Sequence, residues 1–150
     1  MKNFNVMLLN KKLQEAKKAI TKQNANLEKT DEIDESLKGY TKEEYIYAYC
    51  IYCDRLKDTL KIIEQNYLIA TLKITVSNLC PSYEFIVDHY INMNKVMIET
   101  VANTKKNIEK YNDKEYTKGI ILNVNSIVER YLGDIAELIG VVQKILKQEK

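Results

Sequence analysis

The sequence predicts an all-α protein, an antiparallel four-helix bundle of long helices with coiled-coil-like packing. Three observations predict it. The 150 residues hold four glycines and one proline, too few for a turn-rich β sandwich. Apolar residues recur at steps of three and four over four long stretches, which lines one face of a helix in each. A capping signal stands at the head of two of those stretches. With 45% hydrophobic and 29% charged residues, the composition is that of a globular chain and not of a disordered one. The length suits one domain with a sizeable core, here taken as residues 1–150.

The first helix is expected over about 4–27. Val6, Leu9, Leu13, Ala16, Ile20 and Leu27 form its apolar stripe, and Lys11, Lys12, Lys18 and Lys22 give it a basic face. An acidic connector, 28–40, follows. It holds Asp31, Glu32, Asp34 and Glu35 and reads as one short helix stopped at Gly39. The second helix, 41–79, opens on a capping box of Thr41 and Glu44, with Tyr40 and Tyr45 at the staple positions. Its stripe is Tyr45, Tyr49, Tyr52, Leu56, Leu60, Ile63, Tyr67, Ala70 and Ile74, and the step from Leu56 to Leu60 is a stutter that locally unwinds a heptad seam. The β-branched run LKITVSN, 72–78, is where this helix would break early.

Pro81 ends the second helix and opens the third, 82–111, whose inward residues are Ile86, Tyr90, Met93, Met97, Val101, Thr104, Ile108 and Tyr111. The fourth, 113–147, repeats the grammar of the second, with Asn112 as cap, Glu115 as its return partner and Tyr111 with Tyr116 as staple. Ile120, Val124, Ile127, Tyr131, Ile135, Leu138, Val142 and Ile145 follow as its stripe. Gly133 and Gly140 lie one heptad apart and predict a close helix crossing there.

Charge and cysteine usage narrow the function classes. A net charge of +2 is too small to imply a nucleic-acid partner. Arg55 and Arg130 are the only arginines among many lysines, and asparagine, isoleucine and tyrosine are abundant. That usage marks an AT-rich genome, such as that of a low-GC bacterium, its mobile elements, or certain viruses and parasites. The apolar run Val6–Leu9 is too short for a signal peptide or a membrane span, so a cytoplasmic location is expected, in a bacterium or in the host cell of a virus. Cys50, Cys53 and Cys80 are an odd number and read as reduced thiols.

No constellation in the sequence builds an enzyme. Cys50 and Cys53 form a CxxC, but more than two turns inside a helix, away from the helix N-terminus that lowers a thiol pKa in thioredoxin-like proteins. A zinc site of Cys50, Cys53, Cys80 and His89 would need Cys53 and Cys80 together, whereas a continuous helix holds them about 40 Å apart. His89 has Glu84, Asp88 and Asn92 for neighbours, without a nucleophile elbow or a phosphate loop. One histidine is too few for a di-iron bundle. The expectation is therefore a non-enzymatic protein, without cofactor or metal, that acts on a protein partner or by self-association.

The residues assigned to that docking are Tyr40, Tyr45 and Tyr47, at the head of the second helix in the tyrosine-rich run EYIYAYCIYC. Tyr45, Tyr49 and Tyr52 share the inward stripe, while Tyr47 lies about 200° around the helix from Tyr45. An exposed tyrosine there is a good interface anchor. The alternative is a nucleic-acid-associated module using Lys11, Lys12, Lys18 and Lys22, although single-strand binding wants interleaved aromatics and this helix has only Phe4. Two short strings, EYIY at 44–47 and DHYIN at 88–92, resemble segments of the poxvirus Bcl-2-like proteins, helical proteins that block host signalling by binding host factors. The resemblance covers under a tenth of the chain, includes no Bcl-2 groove motif and carries over no functional residue. It implies a viral inhibitor of host signalling as a further alternative.

Overall fold

The computed structural model describes residues 2–27 and 29–148; Glu28 of the expected connector and the side chain of Phe4 lie outside the described residues. All the regular structure among the described residues is helical. In order they form α1 (Lys2–Ala25), α2 (Thr30–Ser36), α3 (Lys42–Ile63), a π-helical segment (Glu64–Lys73), α4 (Ile74–Leu79), a 3-10 turn (Pro81–Tyr83), α5 (Glu84–Tyr111) and α6 (Lys114–Gln148). The backbone stays helical through both ends of the π segment, so α3, the segment and α4 make one unbroken rod. The β-branched run near its end does not break it.

The helices pack around one continuous apolar cluster. α1 lies along α6, α3 along α5, α5 against α6, and the π segment against α1 and α5. Side-chain pairs give the directions. Gln143 donates to Gln14 and Asn24 donates to the Glu129 carbonyl, so α1 and α6 run oppositely. Asp54 pairs with Lys105 and Asp88 with Lys73, so the rod and α5 do too.

Local chemistry fixes the helix ends. The Thr41–Glu44 capping box is closed in both directions: Thr41 Oγ1 accepts from the Glu44 N–H at 3.1 Å, and Glu44 Oε1 accepts from the Thr41 N–H at 3.1 Å. That backbone hydrogen bond is the main reason the Glu44 carboxyl sits below its ordinary pKa. Between α5 and α6 the cap is one residue later than expected. Asn112 takes the left-handed conformation, φ 49°, and closes α5, which leaves Asp113 to cap α6 by accepting from the Tyr116 N–H at 2.7 Å. Tyr111 is exposed at this corner, its ring against Tyr116 at 4.7 Å, and not turned inward.

Two of the expected stripes are displaced by one residue. Along the rod the buried residues continue from Ile63 to Leu68, Leu72, Thr75 and Val76, while Tyr67 is half-buried, Ala70 exposed and Ile74 51% exposed. The reason is the π segment, whose i→i+5 bonds wind an additional residue into the turn and re-phase everything after it. In α5 the buried residues are Val87, Ile91 and Asn94 instead of Ile86, Tyr90 and Met93. An inward asparagine broke the apolar rhythm and drew the pattern to the neighbouring side chains. Thr104 does face inward; its hydroxyl, like those of Thr75 and Thr117, donates to the carbonyl four residues earlier.

α6 touches α1, α3 and α5 and buries a wider face than a single stripe. Its core residues include Ile121, Val128, Leu132, Ile139 and Leu146 beside the expected Val124, Tyr131, Ile135, Leu138 and Val142, while Ile127 is exposed. The glycines do not mark a close backbone crossing. A Cβ at Gly133 would meet nothing within 4 Å, and one at Gly140 would meet only the Lys17 side chain, with Nζ at 3.2 Å.

The re-phased rod yields a direct test. Leu68→Ala should destabilise the protein by about 2–5 kcal/mol, because Leu68 is fully buried. Ile74→Ala should stay within about 0.5 kcal/mol. Urea unfolding of both variants checks this; the opposite order would restore the unshifted stripe.

Candidate functional site

The head of α3 sorts its tyrosines into two sets. The capping box fixes the start of the helix, and helical geometry then turns Tyr45, Tyr49 and Tyr52 inward and Tyr47 outward. The inward rings stack edge to face, with centroids 5.0 Å apart for Tyr45–Tyr49 and 6.2 Å for Tyr49–Tyr52. Both Tyr45 and Tyr49 donate their hydroxyls to Asp34 Oδ1 on α2, at 2.9 and 2.5 Å. Lys118 Nζ approaches Asp34 Oδ2 at 3.8 Å, and Lys114 Nζ lies 4.9 Å from the centroid of the Tyr45 ring. Tyr52 donates to the Asn125 amide oxygen on α6.

This arrangement leaves Tyr45 little surface for the docking expected of it. It is 2% exposed: its ring fills the core and its hydroxyl is spent on Asp34. Tyr40 is exposed on the turn before α3, past Gly39, whose φ of +83° suits glycine. It does not line the same hollow as Tyr47.

Tyr47 is 68% exposed and lines a groove of about 470 Å³ between α3 and α5. Ile46, Cys50 and Ile51 give the groove an apolar wall. Glu43, Asp54 and Glu109 make its rim acidic, and Lys105, its one cation, is paired with Asp54 at 2.9 Å. Burial pushes the Cys50 thiol up from its ordinary pKa and the Cys53 thiol up to about 12. Both sulfurs are thus held as neutral thiols at physiological pH, and the unbroken rod keeps Cys80 near its far end.

Elsewhere the remaining candidates separate. His89 is exposed on α5, with its ring against Tyr90 at 5.6 Å. Its acidic neighbours are engaged: Lys73 pairs with both Asp88 and Glu84, and Ser77 donates to Glu84. No group of three or more histidine, cysteine or acidic residues with metal-binding geometry occurs among the described residues. Lys11 and Lys18 line a hollow between α1 and α6, Lys22 lines the adjoining one, and Lys12 is exposed outside both.

The sequence reading missed three features. Lys17, Lys144 and Lys147 join Lys11 and Lys18 in the α1–α6 hollow; the i, i+7 spacing of Lys11 and Lys18 on α1 and the i, i+3 spacing of Lys144 and Lys147 on α6 were the available signal. Asn94 is fully buried opposite Tyr131, whose hydroxyl donates instead to the Tyr90 carbonyl at 2.9 Å. Burial raises the Tyr131 pKa, and the nearby Asn94 amide partly opposes that rise without closing a hydrogen bond of good geometry. Phe85, at the head of α5, is 72% exposed.

No protein family, no curated protein and no solved structure matches the chain. No helix among the described residues is long and apolar enough to cross a membrane.

Two measurements test the tyrosine cluster. Asp34→Ala leaves two buried hydroxyls without their acceptor and should cost about 1–3 kcal/mol, while Asp34→Asn keeps an acceptor oxygen and should cost less. Equal losses in urea unfolding would mean that the hydroxyls do not depend on Asp34. The second measurement is alkaline titration. Burial first, and the bonds to Asp34 next, raise the pKa of Tyr45 and Tyr49 in the folded state. A raised folded pKa means stability that is complete below the unfolded tyrosine pKa of about 10 and is lost as pH rises above it. Phenolate absorbance should therefore show Tyr45 and Tyr49 ionising together with unfolding.

Proposed function

We propose that this is a non-enzymatic, cytoplasmic regulatory protein, a single antiparallel four-helix bundle that works by docking a partner protein in the α3–α5 groove. Tyr47 is the anchor. The observation that carries this reading is an exposed tyrosine ring beside an apolar wall, in a chain whose other α3-head tyrosines are committed to the core. A large amphipathic ring that gives up little side-chain freedom on binding is the commonest kind of hot-spot residue. Three carboxylates against one paired lysine on the rim favour a partner segment that places lysine or arginine beside its apolar side chains. The thiols of Cys50 and Cys53 serve as small apolar groups in this scheme.

A photo-crosslinking amino acid at position 47 should capture a discrete partner, and the same group at exposed Lys61 should not. Tyr47→Ala should then weaken the purified partner at least tenfold, or about 1.4 kcal/mol, with the melting temperature unchanged. Capture of a second copy of the chain would make the partner the protein itself. An undiminished affinity in Tyr47→Ala would overturn the assignment of the groove.

A further inference from the structure

We infer that the trough along α1 and α6 is a second binding site, and that it takes the phosphate backbone of duplex nucleic acid without reading sequence. Two adjoining hollows of about 540 and 330 Å³ share Gln14, Lys17 and Lys18. The first lies between α1 and α6 and the second is an open continuation lined by α1 alone; together they follow α1 from Met7 to Ala25, about 27 Å at 1.5 Å per residue. Six lysines line them: Lys11, Lys17, Lys18 and Lys22 from α1, and Lys144 and Lys147 from α6. Glu15 is the single acid in either lining among the described residues. None of the six lysines forms an ion pair among the described residues.

The trough is also held in shape. The Gln143–Gln14 hydrogen bond, 2.9 Å, ties its two walls together. Gly140 leaves the space into which the half-buried Lys17 ammonium leans, so this cation lies between the two helices and not out in solvent. Concentrated positive charge in a concave surface raises the local concentration of anions.

The shape and chemistry select among anions. Phosphates of one strand follow each other at about 3.4 Å along a duplex, so a trough of this length runs beside several of them, whereas a small polyphosphate would engage only part of it. Single-strand binding depends on aromatic platforms, and no aromatic side chain among the described residues lines either hollow. Among the described residues Met7 is the only large apolar side chain in the lining, too little to enter a bilayer. Lysines binding as point charges, without a base-reading fork, give backbone affinity without sequence preference.

Fluorescence anisotropy with a labelled mixed-sequence DNA duplex of about 20 base pairs tests this. Binding should weaken by about a thousandfold between about 50 and 200 mM salt, and should not change when the duplex sequence is scrambled. The double variant Lys17→Gln/Lys144→Gln, with its fold checked by circular dichroism, should lower the slope of log affinity against log salt by about two. Lys61→Gln, outside the trough, should leave it unchanged. Absence of duplex binding at low salt, or an equal effect of Lys61→Gln, overturns the site. Tighter binding of an oligo-dT strand than of the duplex overturns the choice of ligand, as does binding only to phosphatidylglycerol vesicles.

Discussion

The rod from Lys42 to Leu79 must keep one apolar edge against its neighbours although its own sequence slips by a position after Ile63. The π turn resolves that conflict. Without it Leu68, Leu72 and Val76 would rotate out of the core, and each fully buried aliphatic side chain stabilises by about 1.5–3 kcal/mol. Ion pairs to the uninterrupted α5 lie on both sides of the slip. Asp54 and Lys73 are nineteen residues apart on the rod, and their partners Lys105 and Asp88 are seventeen apart on α5. The surplus on the rod is in keeping with turns that take up extra residues. Everything placed beyond the slip, including the contact of the π segment with α1, depends on this local overfilling of the helix.

A second constraint explains why tyrosines gather where they do. α1 ends at Ala25, and Asn24 already meets Glu129, well along α6. The heads of α3 and α6 therefore lack the cover that α1 gives the rest of the molecule. α2 supplies it with one short helix, burying Leu37 and turning Asp34 toward the rod. A carboxylate at the edge of a core calls for donors carried on apolar bodies. Tyrosine provides both, a ring for the core and a hydroxyl that reaches the connector. The acidic character of the connector and the tyrosine-rich head of α3 are two halves of one interaction.

Much of this was legible in the chain, and the failures have physical causes. The Thr41–Glu44 box could be read because capping is a local interaction between residues three apart. The apolar rhythm of α3 as far as Ile63 could be read because it follows one helical period. Asn94 and the π turn could not, because periodicity assumes that inward positions are apolar and that the period is constant. Asp113 displaced Asn112 as the cap because asparagine was needed one residue earlier, in the left-handed conformation that ends α5. Among the residues proposed for docking, the outward direction of Tyr47 followed from helical geometry alone. The loss of Tyr45 depended on Asp34, a contact eleven residues away through a short helix that the sequence left loosely specified.

The same distinction between local and averaged properties governs the reading of charge. A net charge of +2 counts the whole chain, while a binding anion meets only the field of the surface before it. Six lysines and one glutamate in the α1–α6 trough exceed the net charge of the molecule, so the remaining surface must be acidic on balance. The rim of the α3–α5 groove is part of that remainder. Folding thus divides a nearly neutral sequence into faces of opposite sign on different helix pairs. One face carries an exposed aromatic ring and the other carries none among the described residues, and that asymmetry is the ground for proposing a basic protein segment at the groove and a backbone of phosphates at the trough.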